Sequence, residues 1–172
     1  MCEIPIRFVD PNESTIIRDR SLIAKIPLIV RSIEMTVIPD SRGFKQLFFQ
    51  YPDWKTTDFV INDPILIPFA KKPTEFLLNH VRKYEAPEEK SDKLLVNNSE
   101  YSEAKEQEID FLLDVMSVAT YLECDAFHEA IGFVVAKKLN GLSVEEIGEV
   151  LNHKVIPKGS DEENWMKIKG DS

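Results

Sequence analysis

The sequence predicts a mixed α/β fold, with a strand-bearing N-terminal half and a helical C-terminal half. Three observations carry that reading. Nine of the ten prolines precede residue 90, and proline breaks a chain into short elements. Five of the six glycines follow residue 110, near the ends and junctions expected of longer helices. Apolar residues alternate close to the N-terminus and recur at helical spacing from Ile109 onward, the two periods that separate strand from helix. A chain of 172 residues that is 43% hydrophobic can build one packed domain, with room for an appendage.

The elements follow in order. Ile4 to Val9 reads as a strand, with Ile6 and Phe8 alternating against Arg7. Asp10-Pro11-Asn12-Glu13 is turn chemistry, and Ser14 to Arg18 reads as the returning strand of a hairpin. A helical turn is expected at Leu22 to Lys25, then a helix from Pro27 to Ile33, with proline starting rather than breaking it. Glu34 to Asn62 carries Phe44, Leu47, Phe48, Phe49, Tyr51, Trp54 and Phe59. That is too aromatic for a free linker, so the segment is expected to pack or to offer a partner surface. Pro64-Ile65-Leu66-Ile67-Pro68 reads as a short buried strand. Pro73 suits the first position of the next helix, on which Phe76, Leu77, His80, Val81 and Tyr84 share a face.

Ala86 to Asp110 holds eight acids and three lysines, and so a net −5 of the chain's −9. It reads as a solvated loop running into a helix start, with Leu94-Leu95-Val96 packing locally. A helix is then expected from Ile109 to Leu122 through Leu112, Leu113, Met116 and Ala119. Asp125 caps the next one, whose apolar stripe is Phe127, Ala130, Ile131, Val134 and Val135, and which breaks near Asn140-Gly141. Ser143-Val144-Glu145-Glu146 is a capping box, with Leu142 and Ile147 placed for a hydrophobic staple. Ser160-Asp161-Glu162-Glu163 repeats the signature ahead of Trp165, Met166 and Ile168.

Composition and motifs exclude several functions. A charge of −9 repels nucleic acid and anionic membrane. No apolar run approaches the roughly 20 residues that span a bilayer, and Met1 to Asp10 lacks the pattern of a signal peptide, so a cytoplasmic and nuclear setting is expected. Cys2 and Cys124 make no disulfide framework. There is no phosphate-binding glycine loop, no H-E-x-x-H and no paired C-x-x-C. Cys124 and His128 share an i, i+4 spacing, but a zinc site needs three or four ligands, so they read as a buried thiol near a surface histidine. The acids from Glu100 to Asp110 lack the alternation and central glycine of a calcium loop and read as a solvated face. No metal, cofactor or catalytic group is expected. Trp165 sits among charges on a short helix and reads either as folded back on the domain or as a partner anchor.

Tyr121-Leu122, the helix of Phe127 to Leu139 and the run Leu139-Asn140-Gly141-Leu142-Ser143-Val144-Glu145-Glu146-Ile147 resemble the S-phase kinase-associated adapter family, which links F-box proteins to a cullin in SCF ubiquitin ligases. The family's G-x-[ST]-P-E-E-I is matched by Gly141, Ser143, Glu145, Glu146 and Ile147, with Val144 in the proline's place, where prolyl hydroxylation is excluded. Ile6 to Ile33 resembles its opening hairpin and helices, Pro64 to Pro68 its P-[VIL]-x-[VIL]-P strand, and Ala86 to Asp110 its acidic insertion.

The resemblance implies a BTB/POZ-like domain over residues 1–139, with a divergent insertion at 34–63 and an acidic loop at 86–108, and a C-terminal F-box-binding helical extension over 140–172. It implies a non-catalytic adapter without cofactor. An F-box protein would meet Phe127, Ile131, Val134, Leu139, Ile147, Val150, Leu151, Trp165 and Met166, and a cullin N-terminal domain would meet Thr120 and Tyr121. Thr120 replaces the family's asparagine, and the stretch from Asn152 to Glu163 is shorter than the family's. The elongin C type, a shorter relative, lacks the tail that the two capping boxes favour here. The alternative is a divergent scaffold that keeps the fold, binds an F-box protein without a cullin, or self-associates through residues 34–63 or as a homodimer through the POZ-like face.

Overall fold

The computed structural model describes residues 1–39, 45–49, 51–87 and 101–151, with backbone alone at 36–39 and 45–49. The first strand, β1 (Cys2–Arg7), buries Cys2, Ile4 and Ile6 on one face, and Phe8 continues the row. Strand side chains alternate between faces, so Glu3, Pro5 and Arg7 take the other. The turn is stapled by the Asp10 carboxylate, which accepts from the Asn12 amide at 2.9 Å. β2 (Ser14–Ile17) returns antiparallel, with Ile4 opposite Ile17 and Pro5 opposite Ile16. The Phe8 amide donates to the Glu13 carbonyl at 3.2 Å, which fixes the phase of the ladder. Ile6–Thr15 and Ile4–Ile17 are bonded pairs, while Pro5, which has no N–H, occupies a non-bonded one.

The short helix α1 (Arg20–Ile23) starts at Asp19, whose carboxylate accepts from the Ser21 and Leu22 amides. α2 (Pro27–Glu34) starts on proline as expected and buries Ile29 and Ile33. Within the 34–63 segment, Trp54 and Phe59 pack into the core, while Phe44 and the side chains of Leu47, Phe48 and Phe49 lie outside what is described. The segment opens with β3 (Met35–Pro39) and β4 (Lys45–Phe49), antiparallel in a two-stranded sheet of their own. The chain then returns to the core through Trp54, 1% exposed, whose indole N–H donates to the Glu34 carboxylate at 2.9 Å, and Phe59. β5 (Phe59–Val60) and β6 (Ile65–Leu66) both pair parallel with β1 on the side away from β2. The strand between Pro64 and Pro68 is thus present but not buried throughout: Leu66 is 49% exposed, and Ile67, just beyond the strand, is the buried residue.

α3 (Lys71–His80) begins two residues before Pro73, which lies in the first turn, where its missing N–H has no helical partner to lose. The acidic segment is not only solvated. Its described end forms α4 (Ser102–Lys105), with Tyr101 and Ala104 buried. The Tyr101 hydroxyl donates to the Glu85 carbonyl at 2.6 Å, and its ring stands edge-on to Tyr84 at 5.2 Å. The Tyr84 hydroxyl donates to Glu103 at 3.0 Å and accepts from the Ala104 amide at 3.2 Å. Burial, then the hydrogen bond to Glu103, push the Tyr84 phenol well above its usual range. Donors from Glu103's own amide, the Ser102 hydroxyl and Tyr84 hold the Glu103 carboxyl down at about 2.

α5 (Ile109–Tyr121) and α6 (Asp125–Leu139) pack side by side, with α3 on α5. α5 ends in a Schellman motif: the Cys124 amide donates to Ala119 at 2.9 Å and the Glu123 amide to Thr120 at 3.2 Å. This places Glu123 at φ 61, in the left-handed region where glycine is favoured. Arg31 ion-pairs with the Glu123 carboxylate. The residue ahead of α6 is Cys124, with no side-chain cap, and Asp125 instead occupies the first turn, facing the positive end of the dipole. Leu94 to Val96 and Ser160 to Ile168 lie outside the described residues.

Glu123→Gly should stabilise the chain by about 0.5–1 kcal/mol in urea denaturation, because relief of left-handed strain exceeds the worth of an exposed ion pair. Tyr84→Phe should destabilise by about 1–3 kcal/mol at neutral pH. Glu103's depressed folded-state pKa makes its contribution complete above the ordinary value of 4.5 and lost as pH falls towards about 2. The wild-type advantage should therefore narrow over that window, without vanishing, since the Ala104 amide loses its acceptor at every pH. A gap that stays constant through the acid range refutes the Glu103 linkage.

Candidate functional site

Two exposed features lie at the ends of the C-terminal helices. The first is a groove where α6 meets α7 (Val144–Val150). Gly141, at φ 102, reverses the chain after α6, a conformation that suits glycine. The Ser143 hydroxyl then accepts from the Glu146 amide at 3.2 Å, and the Glu146 carboxylate accepts from the Ser143 amide at 2.7 Å. The expected capping box is therefore closed, and those two contacts, the backbone one first, lower the Glu146 pKa. The staple residues Leu142 and Ile147, together with Leu139, Phe133 and Ala136, line a groove of about 570 Å³. Among the described residues its one charged lining residue is Lys137, whose Nζ sits 5.4 Å from the Phe133 ring centroid.

Of the residues expected to meet an F-box, Leu139 and Ile147 line this groove. Val150 and Leu151 are half-buried on the same short helix and its end. Phe127, Ile131 and Val134 are corrected from contact face to core: each is at most 1% exposed, and Phe127 stacks on Tyr84 at 5.7 Å. The periodicity that selected them marks the stripe facing α5, and a neighbouring row lies beside the groove. Phe133, Ala136 and Lys137 form that second row at i, i+3 and i+4, the signal that could have found them. Trp165 and Met166 lie outside the described residues.

The second feature is the C-terminal end of α5. Thr120 is exposed, and its hydroxyl donates back to the Met116 carbonyl at 3.1 Å. Tyr121 is 36% exposed, its hydroxyl donates to the Leu66 carbonyl at 3.3 Å, and its ring meets Phe69 edge-on at 5.6 Å. The Val9 amide donates to the Phe69 carbonyl at 3.1 Å, so exposed Val9 and Leu66 flank the same aromatic pair. The two residues expected to face a cullin thus share a patch with Leu66 and Phe69, which their distance in sequence concealed.

The Cys124 thiol is buried and donates to the Lys25 carbonyl at 3.6 Å. Burial first, then the Asp125 and Glu123 charges, push its pKa up to about 12, far from the thiolate range a nucleophile or ligand uses. Among the described residues no three histidine, cysteine or acidic side chains converge on a metal position, and no helix is long and apolar enough to cross a membrane. No protein-family model matches the chain, and no curated protein matches it.

Ser143→Ala should cost about 1 kcal/mol locally. It should appear as faster amide exchange through Val144 to Ile147, with α5 and α6 unchanged. Equal protection in α7 before and after substitution contradicts the capping account.

Proposed function

We propose that the chain is a non-catalytic adapter that joins an F-box protein to a cullin in an SCF-type ubiquitin ligase, acting in the cytoplasm and nucleus. The observation that carries this reading is the open groove between α6 and α7, lined by Phe133, Leu139, Leu142 and Ile147. A partner helix laid into such a groove gains affinity from a few apolar anchors and selectivity from the rim. Trp165 and Met166, downstream of α7 in sequence, complete the anchor set in this reading. The patch of Tyr121, Leu66 and Phe69 supplies the cullin face, with the Tyr121 hydroxyl held by Leu66 so that its ring stays presented. The resemblance in the Gly141 to Ile147 run supports the assignment of the first face to the F-box.

Co-purification of the full chain with an F-box protein and a cullin N-terminal domain tests both faces. Ile147→Asp should weaken F-box binding by at least about tenfold, the scale of an anchor residue, and leave cullin binding intact. Tyr121→Ala should do the reverse. Unchanged F-box binding in both Ile147→Asp and Trp165→Ala overturns the proposed anchors. A second reading, self-association through residues 34–63, is favoured by the antiparallel pair β3–β4, which among the described residues pairs with neither edge of the main sheet. Light scattering that shows a dimer dissolved by deletion of Met35 to Phe49 selects it.

A further inference from the structure

The link between α6 and α7 carries a reactive pair. Of the chain's eight asparagines, Asn140 alone is followed by glycine. An asparagine carboxamide is open to attack by the main-chain nitrogen of the next residue, and a Cβ on that residue hinders the approach. Gly141 has none, and nothing lies within 4 Å of the place a Cβ would take. Both residues are exposed. Among the described residues neither the Asn140 carboxamide nor the Gly141 N–H has a hydrogen-bond partner. Two other asparagines show the contrast. The Asn12 carboxamide donates to the Asp10 carboxylate at 3.1 Å, and the Glu13 amide after it donates to the Asp10 carbonyl at 3.0 Å. Asn79 precedes His80 within α3, where the backbone N–H groups belong to the helical ladder.

The backbone at the link sets one preliminary step. Asn140 lies at ψ 119, which turns the Gly141 nitrogen away from the Asn140 side chain. A flip of the peptide plane between the two residues counter-rotates this ψ and the φ of Gly141, and leaves the path of the chain on either side in place. Glycine populates φ of either sign, so the φ of 102 at Gly141 reverses without the steric cost that a side chain would add.

We propose that Asn140-Gly141 is a self-modifying site, at which the α6–α7 link deamidates through a cyclic imide. The Gly141 nitrogen gives up its proton to solvent and bonds to the Asn140 Cγ. The Cγ–Nδ2 bond breaks, and the Nδ2 group takes up a proton and leaves as ammonia. Water then opens the ring. Opening at Cγ leaves aspartate at position 140; opening at the main-chain carbonyl leaves isoaspartate, with the chain running through the side chain. The sum is one water in and one ammonia out, with no oxidant and no cofactor.

Either product acts on the groove, because Asn140 and Gly141 line it. Aspartate adds a carboxylate to a wall whose charged side chain, among the described residues, is Lys137. Isoaspartate lengthens the main chain by one CH2 inside the turn that the Leu142 amide closes on the Leu139 carbonyl at 3.1 Å. α7 has seven residues, too few to hold as an isolated helix, so its order depends on that junction. The proposal does not rest on the adapter reading, since it needs only the chemistry of the link.

The test incubates the purified full chain in mildly alkaline buffer and follows it by peptide mapping with mass spectrometry, using protein isoaspartyl methyltransferase to label isoaspartate. Position 140 should convert ahead of every other asparagine, to a mixture of the two acids. Asn140→Gln should abolish that conversion with the circular dichroism unchanged, because the larger ring closes far more slowly. In the converted fraction, amide exchange should speed up at Leu142 and through α7, with α5 and α6 as before. Conversion at position 140 no faster than at Asn12 or Asn79 overturns the proposal, as does conversion that requires prior unfolding in urea. Exchange at Leu142 and α7 that is the same before and after conversion overturns the effect on the groove.

Discussion

The sheet depends on one strand used on both edges. Every pairing in the four-stranded sheet passes through β1. Its even-numbered residues bond towards β2, while the carbonyls of Met1, Glu3 and Arg7 accept from Phe59, Ile61 and Ile67 on the other side. The same even-numbered residues, Cys2, Ile4, Ile6 and Phe8, form the buried row. Face and edge are therefore locked together: a slip of one residue would turn that row to solvent and exchange the bonding partners on both edges. Pro5 is compatible with this because its missing N–H falls where the neighbouring strand makes no demand.

The helical half is organised by a different economy. α6 has two apolar rows: Phe127, Ala130, Ile131, Val134 and Val135 are consumed by the core, while Phe133 and Leu139 remain only half-buried. A helix with one stripe would finish its work inside the domain. The second row is what leaves a surface for α7 to complete, and the Gly141 reversal with the Ser143 capping box sets the angle at which Leu142 and Ile147 arrive.

Much of this was legible where local chemistry decides the outcome. The Asp10 turn, proline at the start of α2, the Gly141 break and the Ser143 box each follow from residues adjacent in sequence. Sequence reasoning misplaced features that depend on tertiary partners. The Phe127 stripe has the period of a contact face, and only the packing of α5 and Tyr84 shows that it is core. Burial within the Pro64 to Pro68 run falls on Ile67 rather than on the paired residues, because β6 is short and lies at the sheet margin. Glu103 resembles its acidic neighbours until Tyr84, distant in sequence, turns it into a hydrogen-bond acceptor. The aromatic 34–63 segment was expected to pack, but its period did not announce an antiparallel strand pair followed by a buried Trp54 return.

The contact of Tyr101 with Glu85 and Tyr84 fastens together two points of the chain that are sixteen residues apart in sequence. Closing a loop costs entropy that grows only logarithmically with the number of residues enclosed, so each doubling adds about 0.6 kcal/mol. Here the two ends are held by buried aromatic rings and a 2.6 Å hydrogen bond between positions sixteen apart in sequence. Residues 86–110 carry a net −5 of the chain's −9, and one of those acids, Glu103, is the acceptor that Tyr84 holds beside this contact.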